Sequence, residues 1–139
     1  MRRNQDFLAR LGIGVVLLHL LVVTPHSVAH TVLHIDMNSW QNVYILVVIL
    51  LAPIVAALLL WKRTRPGFIL LALSMAGAFV FGVYYHFIAV GPDNVSSLHD
   101  GTWATTFSIS AVLLAGIELA GAAVGFLGAR SNLGTQHLP

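Results

Sequence analysis

Apolar residues fall into four long stretches that charged and turn-forming residues separate. A helix that crosses the hydrocarbon core of a bilayer needs about 20 mostly apolar residues, and each stretch is at least that long. Within lipid the backbone must pair its own polar groups, which favours helices over open strands. We therefore predict four membrane-spanning helices, at about residues 9–34, 40–61, 67–90 and 102–129.

Cap and proline residues agree with these boundaries. Asn38 and Ser39 are residue types that cap a helix start, and Pro66 suits the first turn of the third helix. Pro25 and Pro53 lie inside predicted spans. A proline there removes one backbone hydrogen bond, so both positions predict kinks, which membrane helices tolerate.

The composition fits a chain whose main solvent is lipid. Of its 139 residues, 58% are hydrophobic and only 9% are charged, whereas soluble domains carry about a quarter charged residues. The length suits one domain, residues 1–139, and we predict an all-α integral membrane fold, an up-down bundle of four helices. The absence of cysteine excludes disulfides and thiolate metal sites. No basic stripe with interleaved aromatic residues is present, so we expect no nucleic-acid partner.

Charge is distributed unequally between the two sides of the predicted bundle. One side carries every basic residue, namely Arg2, Arg3, Arg10, Lys62, Arg63, Arg65 and Arg130. The connections on the other side carry three acidic residues and no basic one, namely Asp36, Asp93 and Asp100. By the positive-inside rule we expect both termini in the cytoplasm, most simply in a bacterial cytoplasmic (inner) membrane.

The first 29 residues also resemble a signal peptide. An arginine-rich start and an apolar run are followed by the cleavage-like sequence Ser27-Val28-Ala29. Cleavage there would leave three spans and an N-terminal His30. Because His19 interrupts the apolar run, we favour the interpretation as a retained first span.

Small residues recur at helical spacing in two of the spans. Membrane helices pack closely through such residues, because lipid provides no hydrophobic force that brings helices together. We therefore expect tight helix packing at Ser74, Ala78 and Gly82 in the third span, and at Gly121 and Gly125 in the fourth. His86 continues the spacing of the third span, so it should point into the bundle.

Seven histidines are many for a chain with so few polar residues. His19, His26, His30 and His34 are separated by seven, four and four residues, and these spacings place them on one face of the first helix. His86 lies roughly 7 Å below the outer end of the third helix, at a depth comparable with His30. The seventh histidine, His137, follows the last span and is not expected to take part.

This arrangement predicts a metal site at the outer face of the bundle. Neutral imidazole suits copper, zinc, iron and nickel, and carboxylates can complete the coordination shell. We expect copper, or else zinc or iron. The alternative is haem b, held by His86 with His30 or His26. The candidate ligands are His26, His30, His34, His86, His99, Asp36 and Asp100.

Glu118 is a carboxyl group near the middle of the fourth span, where charge without a partner is costly. It could relay protons or bind a cation together with His19. It could equally make a satisfied polar contact, with Ser74 or His19 as the partner. A proton or cation conductor is thus a third hypothesis.

No nucleotide-binding loop or hydrolase motif is present, and the chain has no soluble domain, so we expect no independent catalytic activity. The leading hypothesis is a membrane protein whose metal or haem serves a larger membrane redox complex. The alternative is a non-catalytic accessory subunit that packs against and stabilises such a complex. In either case the expected partners are membrane lipid and a larger membrane complex or further copies of the chain.

Overall fold

A computed structural model describes residues 2–131, so Met1, His137 and the rest of the tail lie outside the described residues. The described chain is all-α. Four helices are long and apolar enough to cross a membrane, which suggests an integral membrane protein and confirms the predicted fold class. They are α1 (Arg2–Val32), α2 (Ser39–Trp61), α3 (Arg65–Ile88) and α4 (Thr102–Ser131), and a short 3-10 turn (Val95–Ser97) lies between α3 and α4.

The first and last helices pack along matching buried seams. In α1 the buried residues alternate at spacings of three and four, namely Ala9, Gly12, Val16, His19, Val23 and His26. The same spacing recurs in α4, with Ala104, Phe107, Ala111, Leu114, Glu118, Gly121, Gly125 and Gly128. This is the spacing that keeps one helix stripe against a neighbour. The two helices run antiparallel, because His19 meets Glu118 while His26 meets Ser110.

The half of the bundle that contains the chain's basic residues is closely packed through glycines. A methyl group on Gly125 would come within 2.5 Å of the backbone nitrogen of Ala72, and one on Gly128 would overlap the ring of Phe68. Further along α3, Ser74 and Ala78 are buried one helical turn apart on one face of that helix. A salt bridge of 3.0 Å between Arg63 and Asp6 joins the α2–α3 connection to the start of α1. We call this half the basic half.

Two wide π-helical turns interrupt the regular helices. One covers Ile45–Leu51 in α2 and ends two residues before Pro53, whose ring lacks an N–H and crowds the carbonyl four residues earlier. The other, Tyr84–Ile88, ends α3, and its last bond runs from the N–H of Ala89 to the carbonyl of Tyr84 at 2.7 Å. At Pro25, in contrast, α1 continues as an α-helix.

The end of α1 fixes the position of His34. The N–H of Ile35 donates to the carbonyl of His30, and the N–H of His34 donates to that of Thr31. This is a Schellman ending, in which one residue adopts the left-handed conformation, here His34 with φ of 54°. Asn38 then caps α2 by accepting a hydrogen bond from the N–H of Gln41.

Candidate metal centre

Three histidines from two helices converge at the end of the bundle opposite the basic half. His26 and His30 are one turn apart on α1, and His86 is carried by the π-helical turn of α3. One ring nitrogen of each histidine lies within 4.8 Å of those of the other two. His26 and His86 are buried and His30 is partly buried. We call these three residues the histidine cluster.

The spacing of the cluster suits a single ion. The Nε2 atoms of His26 and His30 are 3.2 Å apart. Two nitrogens bound at 2.0–2.1 Å to a tetrahedral ion would be about 3.3 Å apart, so this pair already has the required separation. Bringing the nitrogen of His86 from within 4.8 Å to that separation requires a movement of no more than about 1.5 Å.

The second nitrogen of two of these rings is held by the protein. Nδ1 of His26 lies 2.8 Å from Oγ of Ser110, which donates its own proton to the carbonyl of Thr106 at 2.6 Å. With the serine proton in that bond, Oγ accepts from Nδ1–H of His26. Nδ1 of His86 likewise donates to the backbone carbonyl of Asp93 at 3.1 Å. In both rings this assignment from the hydrogen-bond network leaves Nε2 without a proton, as in metal-bound histidines, and in His26 the Nε2 lone pair accepts from Nε2–H of His30.

Asp93 brings a buried carboxylate to the same place. Its Oδ1 lies 3.4 Å from Nε2 of His30 and 3.1 Å from Nδ1 of His86. Neither carboxylate oxygen accepts a hydrogen bond from the described residues, because the N–H of His86 is directed at the backbone carbonyl instead. A buried carboxylate without a donor is costly, and a cation beside it removes that cost. The donor set therefore fits a metal ion.

The sequence placed Asp93 on this side of the bundle but did not select it as a ligand. Its position depends on the loop after α3, which Asn94 holds by donating to the carbonyl of Ala89 and accepting from the N–H of Ser96. Nothing in the local sequence separates Asp93 from the exposed Asp36 and Asp100. Its short distance along the chain from His86 was the one available signal.

Phe107 is a second residue that the sequence did not reveal. Its ring is fully buried, and its centroid lies 4.7 Å, 4.9 Å and 5.1 Å from those of His26, His30 and His86. It therefore forms an apolar wall against which all three imidazoles pack. The regular spacing of the α4 seam is the signal that could have found it.

A cavity of about 500 Å³ lies beside the histidine cluster. It extends from the α1–α2 connection, where His34 and Asp36 line it, to Glu118 inside the bundle. Both of these predicted ligands are exposed, and neither belongs to the cluster. His99 and Asp100 line a different and smaller surface pocket. Of the predicted ligands, the structure thus brings together three histidines and leaves the other four residues outside the cluster.

Glu118 forms a buried pair with His19, at 3.2 Å between Oε1 and Nε2. The other nitrogen of His19, Nδ1, is buried and has no hydrogen-bond partner among the described residues. Ser74, the other predicted partner, instead donates to the carbonyl of Leu71.

No protein family, curated protein or solved structure matched this chain in sequence and structure comparisons. The structure by itself shows a four-helix, membrane-like protein with a buried three-histidine cluster that could hold a metal ion.

Proposed function

We propose that this protein binds one transition-metal ion, copper in preference to zinc or iron, at the histidine cluster. The observation that carries the proposal is the orientation of the imidazoles. His26 and His86 each donate Nδ1–H to a protein oxygen, so each keeps a lone pair on Nε2 for an ion, and Nε2 of His26 lies 3.2 Å from Nε2 of His30. Such outer hydrogen bonds are how proteins fix the tautomer of metal-binding histidines.

The preference for copper rests on the chemistry of the donors. Imidazole nitrogens suit copper, zinc, iron and nickel, and Cu²⁺ binds most tightly of the divalent ions in this series. The chain has no cysteine, so it cannot form the thiolate sites that zinc often occupies in proteins. The carboxylate of Asp93 supplies one negative charge next to the three neutral rings.

The contacts within the cluster favour a metal ion over haem b. Two axial histidines must lie on opposite faces of a porphyrin. Here the Nε2 atoms of His26 and His30 are 3.2 Å apart. The rings of His26 and His86 are in edge contact, with their centroids 4.9 Å apart. A porphyrin could pass between them only after the rings had separated.

We further propose that the histidine cluster faces the periplasmic side of a bacterial cytoplasmic membrane. The salt bridge between Arg63 and Asp6 groups the start of α1 with the α2–α3 connection, at the end remote from the cluster. Basic residues mark the cytoplasmic side of membrane proteins, which supports placing both termini there. Metal ions would then reach the cluster from the periplasm, past His34 and Asp36.

The role of the site in this proposal is to supply or hold copper for a larger membrane redox complex. The cavity gives the cluster access from outside, which a site that exchanges its ion requires. We assign no catalytic activity to the site itself.

Metal analysis of the purified protein tests the proposal. We expect about one copper ion per chain. Loss of an outer-shell residue typically weakens metal binding tenfold to hundredfold. His30→Ala and His86→Ala each remove a ligand itself, so we expect copper binding to weaken by at least about a hundredfold. His99→Ala is the matched control, because it removes an exposed imidazole outside the cluster. Equal copper binding by all four proteins would contradict the proposal.

A second proposal, compatible with the first, is an accessory subunit. The second half of α2 packs on both α1 and α3, whereas its first half packs on α3. A helix of a larger membrane complex, or of another copy of this chain, could pack in the remaining space beside Ser27 and Thr31, which line the cavity. We expect the protein to co-purify with such a complex in mild detergent; migration as a lone monomer would argue against this role.

A further inference from the structure

The His19–Glu118 pair can lose a proton without losing its hydrogen bond. A histidine nitrogen and a carboxylate oxygen 3.2 Å apart need one proton between them. A neutral imidazole with Nε2–H and a carboxyl group protonated on Oε2 satisfies this need and leaves the pair neutral. A neutral imidazole with Nε2–H and a carboxylate also satisfies it and leaves the pair with one negative charge. The two states differ only at Oε2 of Glu118, which lies beside Gly82 at the cavity.

The groups that face this pair give it few other partners. Both side chains are almost completely buried. From α3, Gly82 lies beside Glu118, and the hydroxyl of Ser74 is engaged with its own helix. The cavity side of α2 near this level presents the aliphatic residues Ile45 and Ile49. The nearest other ionisable side chains along the cavity are therefore those of the histidine cluster.

Glu118 lies close to the histidine cluster without touching it in any described contact. A methyl group on Gly82 would lie 3.8 Å from both Oε2 of Glu118 and Cδ2 of His86, so these two atoms are at most twice that distance apart. Cδ2 is bonded to Nε2, the nitrogen that we assign to the metal. A carboxylate at about 9 Å from an ion, at an effective dielectric constant of about 20, changes its affinity by roughly twentyfold.

A proton that leaves the pair has one open direction. Towards the basic half, the bundle is closed by a core cluster that includes Val16, Met75 and Val124, together with the close contact of Gly121 with Met75. In the other direction Glu118 lines the cavity that leads past the histidine cluster to His34 and Asp36. The described chain thus provides a half-path that ends at the pair, not a conducting pore.

We propose that the His19–Glu118 pair is a charge-compensating proton site for the histidine cluster, a proposal that rests on metal binding there. Asp93 is the one described carboxylate within 4 Å of the cluster, so a monovalent ion brings the total charge of cluster, Asp93 and ion to zero, and the pair keeps its proton. A divalent ion leaves one excess positive charge. The pair then releases one proton through the cavity to solvent and becomes negative. The charges balance in both cases, and no electron is transferred.

Calorimetric titration of the full chain in detergent micelles tests this inference. The probes are Zn²⁺ and Ag⁺, which are divalent and monovalent and are not reduced or oxidised on binding. Titrations at one pH in non-coordinating buffers of different ionisation enthalpy give the number of protons released. We expect Zn²⁺ to release more protons than Ag⁺, by up to about 0.6 per chain, which is the most that a twentyfold coupling allows. Protons released by the ligands themselves would appear with both ions and cancel in this difference.

Variants of the pair give the second half of the test. In Glu118→Gln the extra proton release should disappear. The affinity for Zn²⁺ should fall by up to about twentyfold, while that for Ag⁺ stays nearly constant. Asp100→Asn, which removes an exposed carboxylate from the loop before α4, is the matched control and should behave as the unchanged protein. If the Gln variant fails to fold, the comparison of the two ions in the unchanged protein still decides.

The outcomes separate this inference from the proposed function. Tight Zn²⁺ binding with equal proton release for both ions, or equal release in the unchanged protein and Glu118→Gln, overturns the charge-compensating role and leaves the metal site standing. Failure of the unchanged protein to bind either ion overturns the metal site, and the inference falls with it.

Discussion

Replacing Ser110 by alanine should weaken metal binding although Ser110 does not itself contact the ion. Its Oγ accepts a hydrogen bond from Nδ1–H of His26 at 2.8 Å and donates one to the backbone of α4. Without this acceptor a buried N–H loses its partner, which costs about 1–3 kcal/mol. The ring can avoid that cost by moving its proton to Nε2. The lone pair that we assign to the metal would then be blocked.

The magnitude follows from this change of tautomer. Loss of an outer-shell partner of a metal-binding histidine typically reduces metal affinity tenfold to hundredfold. For Ser110→Ala this corresponds to about 1.4–2.7 kcal/mol of binding free energy. Ser110→Thr keeps the hydroxyl and should retain most of the affinity. Ser108→Ala is the matched control, because Ser108 lines the separate small pocket.

Competition titrations with a copper chelator would measure these affinities in detergent. The expected order is the unchanged protein, Ser108→Ala and Ser110→Thr close together, with Ser110→Ala clearly weaker. If Ser110→Ala bound copper within about twofold of the unchanged protein, the assignment of Nε2 of His26 to the metal would be refuted. Equal weakening by the alanine and threonine variants would point instead to a packing effect in α4.

Two further predictions concern the loop and the packing of the bundle. Asp93→Asn removes the charge beside the cluster but keeps the backbone carbonyl that accepts a hydrogen bond from His86. We therefore expect copper affinity to fall roughly tenfold or more, and thermal melts to show little loss of stability. Gly125→Val places a side chain against the backbone of Ala72 and should destabilise the bundle by about 3 kcal/mol or more. Gly116→Val, which meets open space, should change denaturation in detergent only slightly; equal effects would contradict the packing argument.

The spacing of residues in α1 predicted much of the site because the helix is regular there. Positions 19, 26 and 30 keep the alternation of three and four that marks the buried seam, so His19, His26 and His30 face inward. The same reasoning could not place His34, because α1 ends at Val32 and the left-handed turn takes His34 out of the helical phase. Residue spacing predicts direction only as far as the helix continues.

The parts of the site that the sequence did not predict depend on contacts between distant segments. Asp93 reaches the cluster because Asn94 folds the loop back onto α3, and no periodic pattern reports such a fold. Phe107 and Ser110 could have been found only by setting the α4 seam against that of α1 in antiparallel register. For the same reason the choice between His19 and Ser74 as the partner of Glu118 had to await the structure.

The antiparallel pairing of α1 with α4 also bears on how the site arises during synthesis. Of the described helices, α1 leaves the ribosome before the others and carries His26 and His30, α3 then brings His86, and Ser110 arrives only with α4. Until α4 is inserted, His26 has no acceptor for its Nδ1 proton, and the imidazoles lack the wall formed by Phe107. The complete centre is therefore a property of the finished chain, and a product truncated before α4 cannot hold the ion in this geometry.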